Sequence, residues 1–382
     1  MGYIKNFEKL ATTPQRKIAL DLIEAAISSI QPEEVLKDFK IENLEQYQNV
    51  YLIGFGKGSA CISKIIEEKL GDKLKEGYVI DVTAEQFSKV QFTLGTHPLP
   101  SQANIDFTKK VVERFQGKIS DKDLIIVLVT GGGSALLELP VEGVSLEQLI
   151  EKNSELLKSG KTIEEMNVDR KKLSQVKAGG LARILAPAKV MGLIFSDVPG
   201  NNISTIASGP TDDPSAENKI VLSNKTALNV MKKKCDEVGI ESQIYFDAVQ
   251  GEARVVGAEL LKTAKPNSIL LAAGETTVTV QNKNGKGGRN QELVLGALSN
   301  STIQQSNTVV IASFDSDGWD NTEFAGAIGD IQTVQSAKKM NLDIEKSLSD
   351  NNSFEFFEKT GDGILTGRLP SNIADLMIVY KY

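Results

Sequence analysis

From Leu124 to Val129 the chain reads Leu-Ile-Ile-Val-Leu-Val, apolar at every position, and ends on Thr130. A strand with one face in water alternates polar and apolar residues. A strand without that alternation needs cover on both faces, which is the setting of parallel sheets flanked by helices. The rest of the chain keeps to this constraint. Short apolar runs at Val50-Tyr-Leu-Ile-Gly54, Tyr78-Val-Ile-Asp-Val82 and 190–195 alternate with helical spacings. Ile62, Ile65, Ile66 and Leu70 fall on one helical face. Ser145-x-x-Gln148 is a capping box, and its helix carries Leu146, Leu149, Ile150, Asn153, Leu156 and Leu157 on one side. Gly160 closes that helix and Thr162-x-x-Glu165 opens the next. After about residue 215 the alternation resumes, with strands expected at 268–273, 276–281, 308–314 and 375–380. The segment 276–281 alternates and runs into Asn282-Lys-Asn-Gly285, a hairpin signal. Alternation in both halves predicts an α/β chain of two α/β domains with mostly parallel sheets. A length of 382 residues agrees with two domains, and the boundary is placed near 240, giving 1–240 and 241–382.

Composition narrows the chemistry. Lys+Arg 43 against Asp+Glu 50 gives a net charge of −7, which argues against a nucleic-acid partner. No run reaches the roughly 18 apolar residues of a membrane span, and the polar start Met1-Gly-Tyr-Ile-Lys-Asn6 is not a signal peptide. Cys61 and Cys235 are too few for a disulfide framework and suit a reduced cytoplasm. The single histidine, His97, excludes a His-rich metal site and leaves one candidate for any His-based triad. It lies in Thr96-His-Pro-Leu-Pro100, a proline-stiffened segment, where a structural hydrogen bond is the commoner role.

Ligands of open α/β sheets collect beyond the carboxyl ends of strands, and five such ends carry unusual residues. Gly54-Phe-Gly-Lys-Gly-Ser59 joins a strand to a helix; it reads as a tight turn or as a phosphate cradle, and Lys57 favours an anion. It lacks both the Walker A spacing and the third glycine of G-x-G-x-x-G. Gly131, Gly132, Gly133 and Ser134 form either a second cradle or a packing turn. Asp197, in Ser196-Asp-Val-Pro-Gly200, is either a metal ligand or base, or an Asx-turn residue. Gly274-Glu-Thr-Thr277 brings Glu275. Asp315, Asp317 and Asp320 are close enough in sequence for a divalent cation that neutralises phosphates, or for a polar turn. Between the last two ends, Arg289 opens a helix after Gly285-Lys-Gly-Gly288; it can grip a carboxylate or phosphate, or pair with Glu292.

In order, these segments resemble the type II glycerate kinases, the glycerate 2-kinase family whose C-terminal half is called the MOFRL domain. Besides the strand ends, the resemblance rests on Thr96-His-Pro-Leu-Pro100, Gly131-Gly-Gly-Ser-Ala-Leu136, Lys177-Ala-Gly-Gly-Leu-Ala182, Ala207-Ser-Gly-Pro-Thr211, Gly251-Glu-Ala-Arg254, Gly287-Gly-Arg-Asn-Gln-Glu292 and Ser316-Asp-Gly-Trp-Asp320. It spans nearly the whole chain. It implies a Rossmann-like N-terminal parallel sheet, a smaller MOFRL α/β domain and an active site in the cleft between them, whose closure excludes water. It implies phosphorylation of D-glycerate at the 2-hydroxyl by ATP, giving 2-phosphoglycerate and ADP, with Mg²⁺ as the metal. Lys57 matches the lysine of the family's glycine loop and Arg289 the arginine of its Gly-Gly-Arg motif. With them, Asp197 completes the expected catalytic set. Gly54, Gly56, Gly58, Ser59, Gly131, Gly132, Gly133, Ser134, Glu275 and Asn290 are the expected substrate and phosphate contacts, and Asp317 or Asp197 the metal ligand. The expected partners are D-glycerate and ATP, without nucleic acid or membrane, in a cytoplasmic protein with a homodimer as its assembly. The chain departs from the family at Ala178, at Asn321, and at Arg368 and Pro370, which stand where proline and glycine are usual.

Two other readings compete. A nicotinamide-dependent hydroxypyruvate reductase would use Asp81, which lies near the end of the second strand, where a dinucleotide fold places its ribose-binding acid. A non-catalytic binder of a phosphorylated metabolite would need fewer strand-end acids than this chain carries.

Overall fold

The computed structural model describes residues 2–158, 163–198, 200–300, 303 and 308–382. Gly160, the Thr162 half of the second capping box, Pro199 and the side chains of Asn153 and Leu157 lie outside what is described. The chain forms two compact units, residues 35–223 and residues 1–34 with 224–382. This differs from a division at 240. The N-terminal helix Pro14–Ser29 packs on the helix Asn224–Glu237 and on strands of the second unit. Arg16, fully buried, donates to Asp330 at 2.7 Å and to Asp362 at 2.7 Å, so the chain's start is bound to its last third.

The unit 35–223 holds β1 (Asn49–Phe55), β2 (Leu74–Asp81), β3 (Val90–Leu94), β4 (Asp123–Val129), β5 (Lys189–Phe195) and β6 (Ala216–Leu222). All pairings are parallel, in the order β3-β2-β1-β4-β5-β6. That is the nucleotide-binding order, with the direction of strand addition reversing between β1 and β4. β4 is buried at every position, as its unbroken apolar run requires. β3 and β6 escape the sequence pattern because they are polar-flecked edges with little to bury. The capping box forms as expected: Ser145 N–H donates to Gln148 at 2.9 Å and Gln148 N–H returns to the Ser145 hydroxyl at 3.3 Å.

The second unit holds β7 (Glu241–Val249), β8 (Ser268–Gly274), β9 (Val309–Asp315), β10 (Gly326–Asp330), β11 (Gly363–Ile364) and β12 (Asp375–Lys381). Their order is β11-β10-β9-β12-β8-β7. Only β7–β8 is parallel, so the expectation of a mostly parallel second sheet is corrected. The final strand inserts between β8 and β9 against the direction of both. Helices Ala253–Thr263 and Arg289–Leu298 pack over Leu270, Ala272, Ile311, Met377 and Val379. Ile269, Leu271, Val310, Ala312, Leu376 and Ile378, on the alternate positions, are buried as well. Cover on both faces makes a strand apolar whichever way it runs, so composition cannot report direction. The hairpin expected at 276–281 does not form; Thr277 makes one bridge to Glu252. Side chains satisfy this segment instead: Glu252 accepts from Thr279 N–H at 3.1 Å and Asn351 from Gln281 N–H at 2.7 Å.

Candidate active site

In the parallel unit the glycine loops follow β1 and β4 at the reversal point. The register of these neighbours, Phe55 opposite Val129, sets the loops side by side. They are also bonded to each other, because Lys57 N–H donates to the Gly131 carbonyl at 2.7 Å. Gly56, at φ +117°, has no room for a Cβ against Thr130. The Lys57 side chain is exposed. The amides of Gly131 and Gly132 meet no acceptor among the described residues, which suits a loop that cradles an anion.

Two side chains close over this loop. Asp197, half-buried after β5, lies so near the Gly131 α-carbon that a methyl group there would collide with its carboxylate. The His97 ring lies on Gly132, where a Cβ would be 2.8 Å from its Cδ2. Desolvation, then the nearby Lys57 charge, holds the His97 imidazole below its ordinary range. Asn104, fully buried, ties the histidine segment down: its Nδ2 donates to Thr96 O at 2.9 Å and to Ala135 O at 2.8 Å. Sequence reasoning missed Asn104; its one signal was a polar residue on the apolar side of the helix Gln102–Phe115.

Other expected contacts of this unit turn away. Gly54 lies inside β1, packed against Ser63 and Val79. Gly133 packs on Phe55 and Ala207, and its amide donates to Thr130 O at 3.2 Å. Ser59, expected in the cradle, is fully buried; its hydroxyl donates to Ile80 O at 3.0 Å and its amide to Gly56 O at 3.2 Å. The Ser134 hydroxyl faces Ser208 at 3.0 Å. Asp81 takes donors at the start of the β1 loop's own helix, Ala60 N–H at 2.9 Å with Gly58 also contributing, and accepts from its own neighbour Val82 N–H at 2.6 Å. Burial pushes its carboxyl up while these amides pull it down. Asp81 thus places an acid where a dinucleotide pyrophosphate would need a bare helix N-terminus.

In the second unit Asp375, at the start of β12, lies opposite both Gly274 and Asp315, the ends of β8 and β9. Arg289 reaches this end from the helix Arg289–Leu298. Its Nε donates to Asp375 at 2.6 Å, one Nη to Glu275 at 2.6 Å and the other to Asp315 at 3.2 Å. Burial alone would lower its pKa; Asp375, then Glu275 and Asp315, raise it further than burial lowers it. Burial raises the Asp375 carboxyl to about 7 despite Arg289. Asp315 is pushed well up by burial, then by Asp375 and Asp317. The expected alternative partner, Glu292, pairs with Arg254 at 2.6 Å instead. Asn290 is buried and donates to Asp375 at 2.8 Å, so it orders the cluster rather than facing a ligand. Asp320 caps the same helix, accepting from Asn290 N–H at 3.1 Å and Gln291 N–H at 2.9 Å. Asp317 is partly exposed and accepts from Trp319 N–H at 2.8 Å. Among the described residues no group of three or more His, Cys, Asp or Glu is arranged to hold a metal ion. Around Arg289 the reason is plain, since the guanidinium fills the centre of the acids. Asp375 was the residue sequence reasoning passed over, although it ends the segment Thr366-Gly-Arg-Leu-Pro-Ser-Asn-Ile-Ala-Asp375 that carries Arg368 and Pro370.

Glycine loops at the reversal of a parallel sheet, followed by a second α/β unit with its own strand-end charges, define a two-unit α/β protein with a nucleotide-fold first sheet. Residues 18–238 match a domain family described as a domain of unknown function (DUF4147), and residues 268–375 match the MOFRL family. The chain is 32% identical to D-glycerate 2-kinase of Thermotoga maritima, over 95% of this chain and 97% of that protein. It is 30% identical to glycerate 2-kinase of Pyrococcus horikoshii, over 95% and 96%. The solved structure of glycerate kinase from Thermotoga maritima superposes with a TM-score of 0.87 at 31% identity, covering 96% of this chain and 99% of that one. The chain belongs to the glycerate 2-kinase family.

Proposed function

We propose that this protein transfers a phosphoryl group from ATP to the 2-hydroxyl of D-glycerate, giving 2-phosphoglycerate and ADP. The observation that carries this reading is the likeness, along nearly the full length of both chains, to relatives named glycerate 2-kinase. Phosphoryl transfer asks a protein for positioning and charge neutralisation more than for covalent chemistry. Lys57 and the unpaired amides of Gly131 and Gly132 suit an anionic group of one substrate. Arg289 takes a second anion by exchanging it for Glu275, the exposed member of its three acids. Asp197, beside Gly131, accepts the proton of the hydroxyl. Magnesium keeps several waters and needs one or two carboxylates besides phosphates. Asp197 and Asp317 each fit that need as partly exposed carboxylates. Bound with the nucleotide, the ion would neutralise phosphate charge.

The reductase reading loses its anchor, because Asp81 is buried and consumed by the loop it would serve. The decisive measurement is ADP release from ATP, Mg²⁺ and D-glycerate, with the product's phosphate located by phosphorus NMR. Phosphate on the 2-oxygen is expected. No ADP release, together with oxidation of reduced nicotinamide by hydroxypyruvate, would overturn the proposal.

A further inference from the structure

The second unit binds its arginines to acids: Arg16 to Asp330 and Asp362, Arg254 to Glu292, and Arg289 to three carboxylates. Arg368 is different. It is exposed and meets no carboxylate among the described residues. Its guanidinium lies over the Trp319 ring, 4.2 Å from the centroid. An aromatic face in that position holds a guanidinium without consuming its N–H donors, which remain a planar fork for an oxyanion.

The placement is tied to the site. Leu369 N–H donates to the Asp317 carbonyl at 2.7 Å, and the Gly318 α-carbon packs on the Gly367 carbonyl, so the loops 315–320 and 366–369 form one piece. Asp315, on the first loop, holds Arg289, and Asp317 N–H donates to Asp315 at 3.1 Å. The Lys5 ammonium, also without a carboxylate partner, lies 2.5 Å from where a Cβ on Gly367 would fall. Arg368 on this loop and Lys5 against it are thus two cations without carboxylate partners at one place, which favours an anion there. Arg289, in contrast, is already surrounded by acid.

We propose that Arg368, oriented by Trp319, binds an oxyanion of one of the two substrates, a phosphate of the nucleotide or the carboxylate of glycerate. The proposal rests on the phosphoryl-transfer reading for the identity of these anions. Trp319 is the chain's single tryptophan, so its fluorescence reports on this loop directly. Titrating the full-length protein separately with ATP and with D-glycerate should change tryptophan emission with one of them, and Arg368→Gln should weaken that response. In kinetics the same variant should raise KM for that substrate about tenfold to a hundredfold, the effect of losing charged hydrogen bonds, with kcat and KM for the other nearly unchanged. Trp319→Phe should keep the wild-type KM and Trp319→Leu should raise it. If emission is unmoved by both ligands, or Arg368→Gln keeps wild-type affinities for both, the proposal falls. A wild-type protein without kinase activity sinks the function proposed above, whereas the titration still decides the fate of Arg368.

Discussion

Lys57 and Arg289 are both cations at glycine-rich strand ends, yet they differ in what surrounds them. Lys57 is exposed, and its backbone is bonded to the loop with the unpaired amides; Arg289 is held by Asp375, Asp315 and Glu275. Lys57→Ala should therefore lower turnover about a hundredfold or more, as loss of a charge-stabilising donor does, while the thermal midpoint stays put. A variant with near-normal rates would remove Lys57 from the site. Gly131→Ala tests the close approach of Asp197. It should cut activity sharply with a modest loss of stability, read from kinetics and denaturation on one preparation. Lys57 and Arg289 were legible in the sequence because glycines mark where a backbone needs freedom and a cation among them stands out. The burial of Ser59 was not, since a serine before a helix reads the same whether its hydroxyl faces solvent or Ile80 O.

At the scale of elements, the helix Arg289–Leu298 depends on a residue from another loop. Asp320 receives its first amides, and Asp320→Ala should cost about 1–3 kcal/mol by leaving buried donors unmade, measured by chemical denaturation. The meeting of β8, β9 and β12 creates a pH dependence. An aspartate in an unfolded chain titrates near 4, whereas Asp375 is raised to about 7 by burial. The native state therefore holds this proton more tightly. The stabilisation it brings is full below about pH 4 and is lost as pH rises through 7. Wild type should lose stability relative to Asp375→Asn between pH 5 and pH 8, seen in paired denaturation midpoints. A constant difference would contradict the burial argument. The linear sequence does not announce the surroundings of this acid, because its partners are 60 and 86 residues away: Asp315 through strand pairing and Arg289 through an ion pair.

For the molecule as a whole, the second unit is closed by the chain's own beginning. Arg16 is buried between Asp330 and Asp362, and donates a further hydrogen bond to the Thr333 hydroxyl. Arg16→Ala leaves two buried acids without a cation and should cost about 3–5 kcal/mol. Calorimetry should show that loss in the transition of the unit containing 224–382, with the unit 35–223 spared. The sequence by itself determined the alternation of strands and helices, the parallel first sheet and the glycine loops with Lys57. These are local: apolar runs report burial, and glycines report backbone freedom. Only the tertiary structure decided that β12 runs against its neighbours, that residues 1–34 complete the second unit, and that three acids surround Arg289. Strand direction, a discontinuous core and the pKa of a buried acid arise from through-space neighbours, and spacing along the chain carries no record of them.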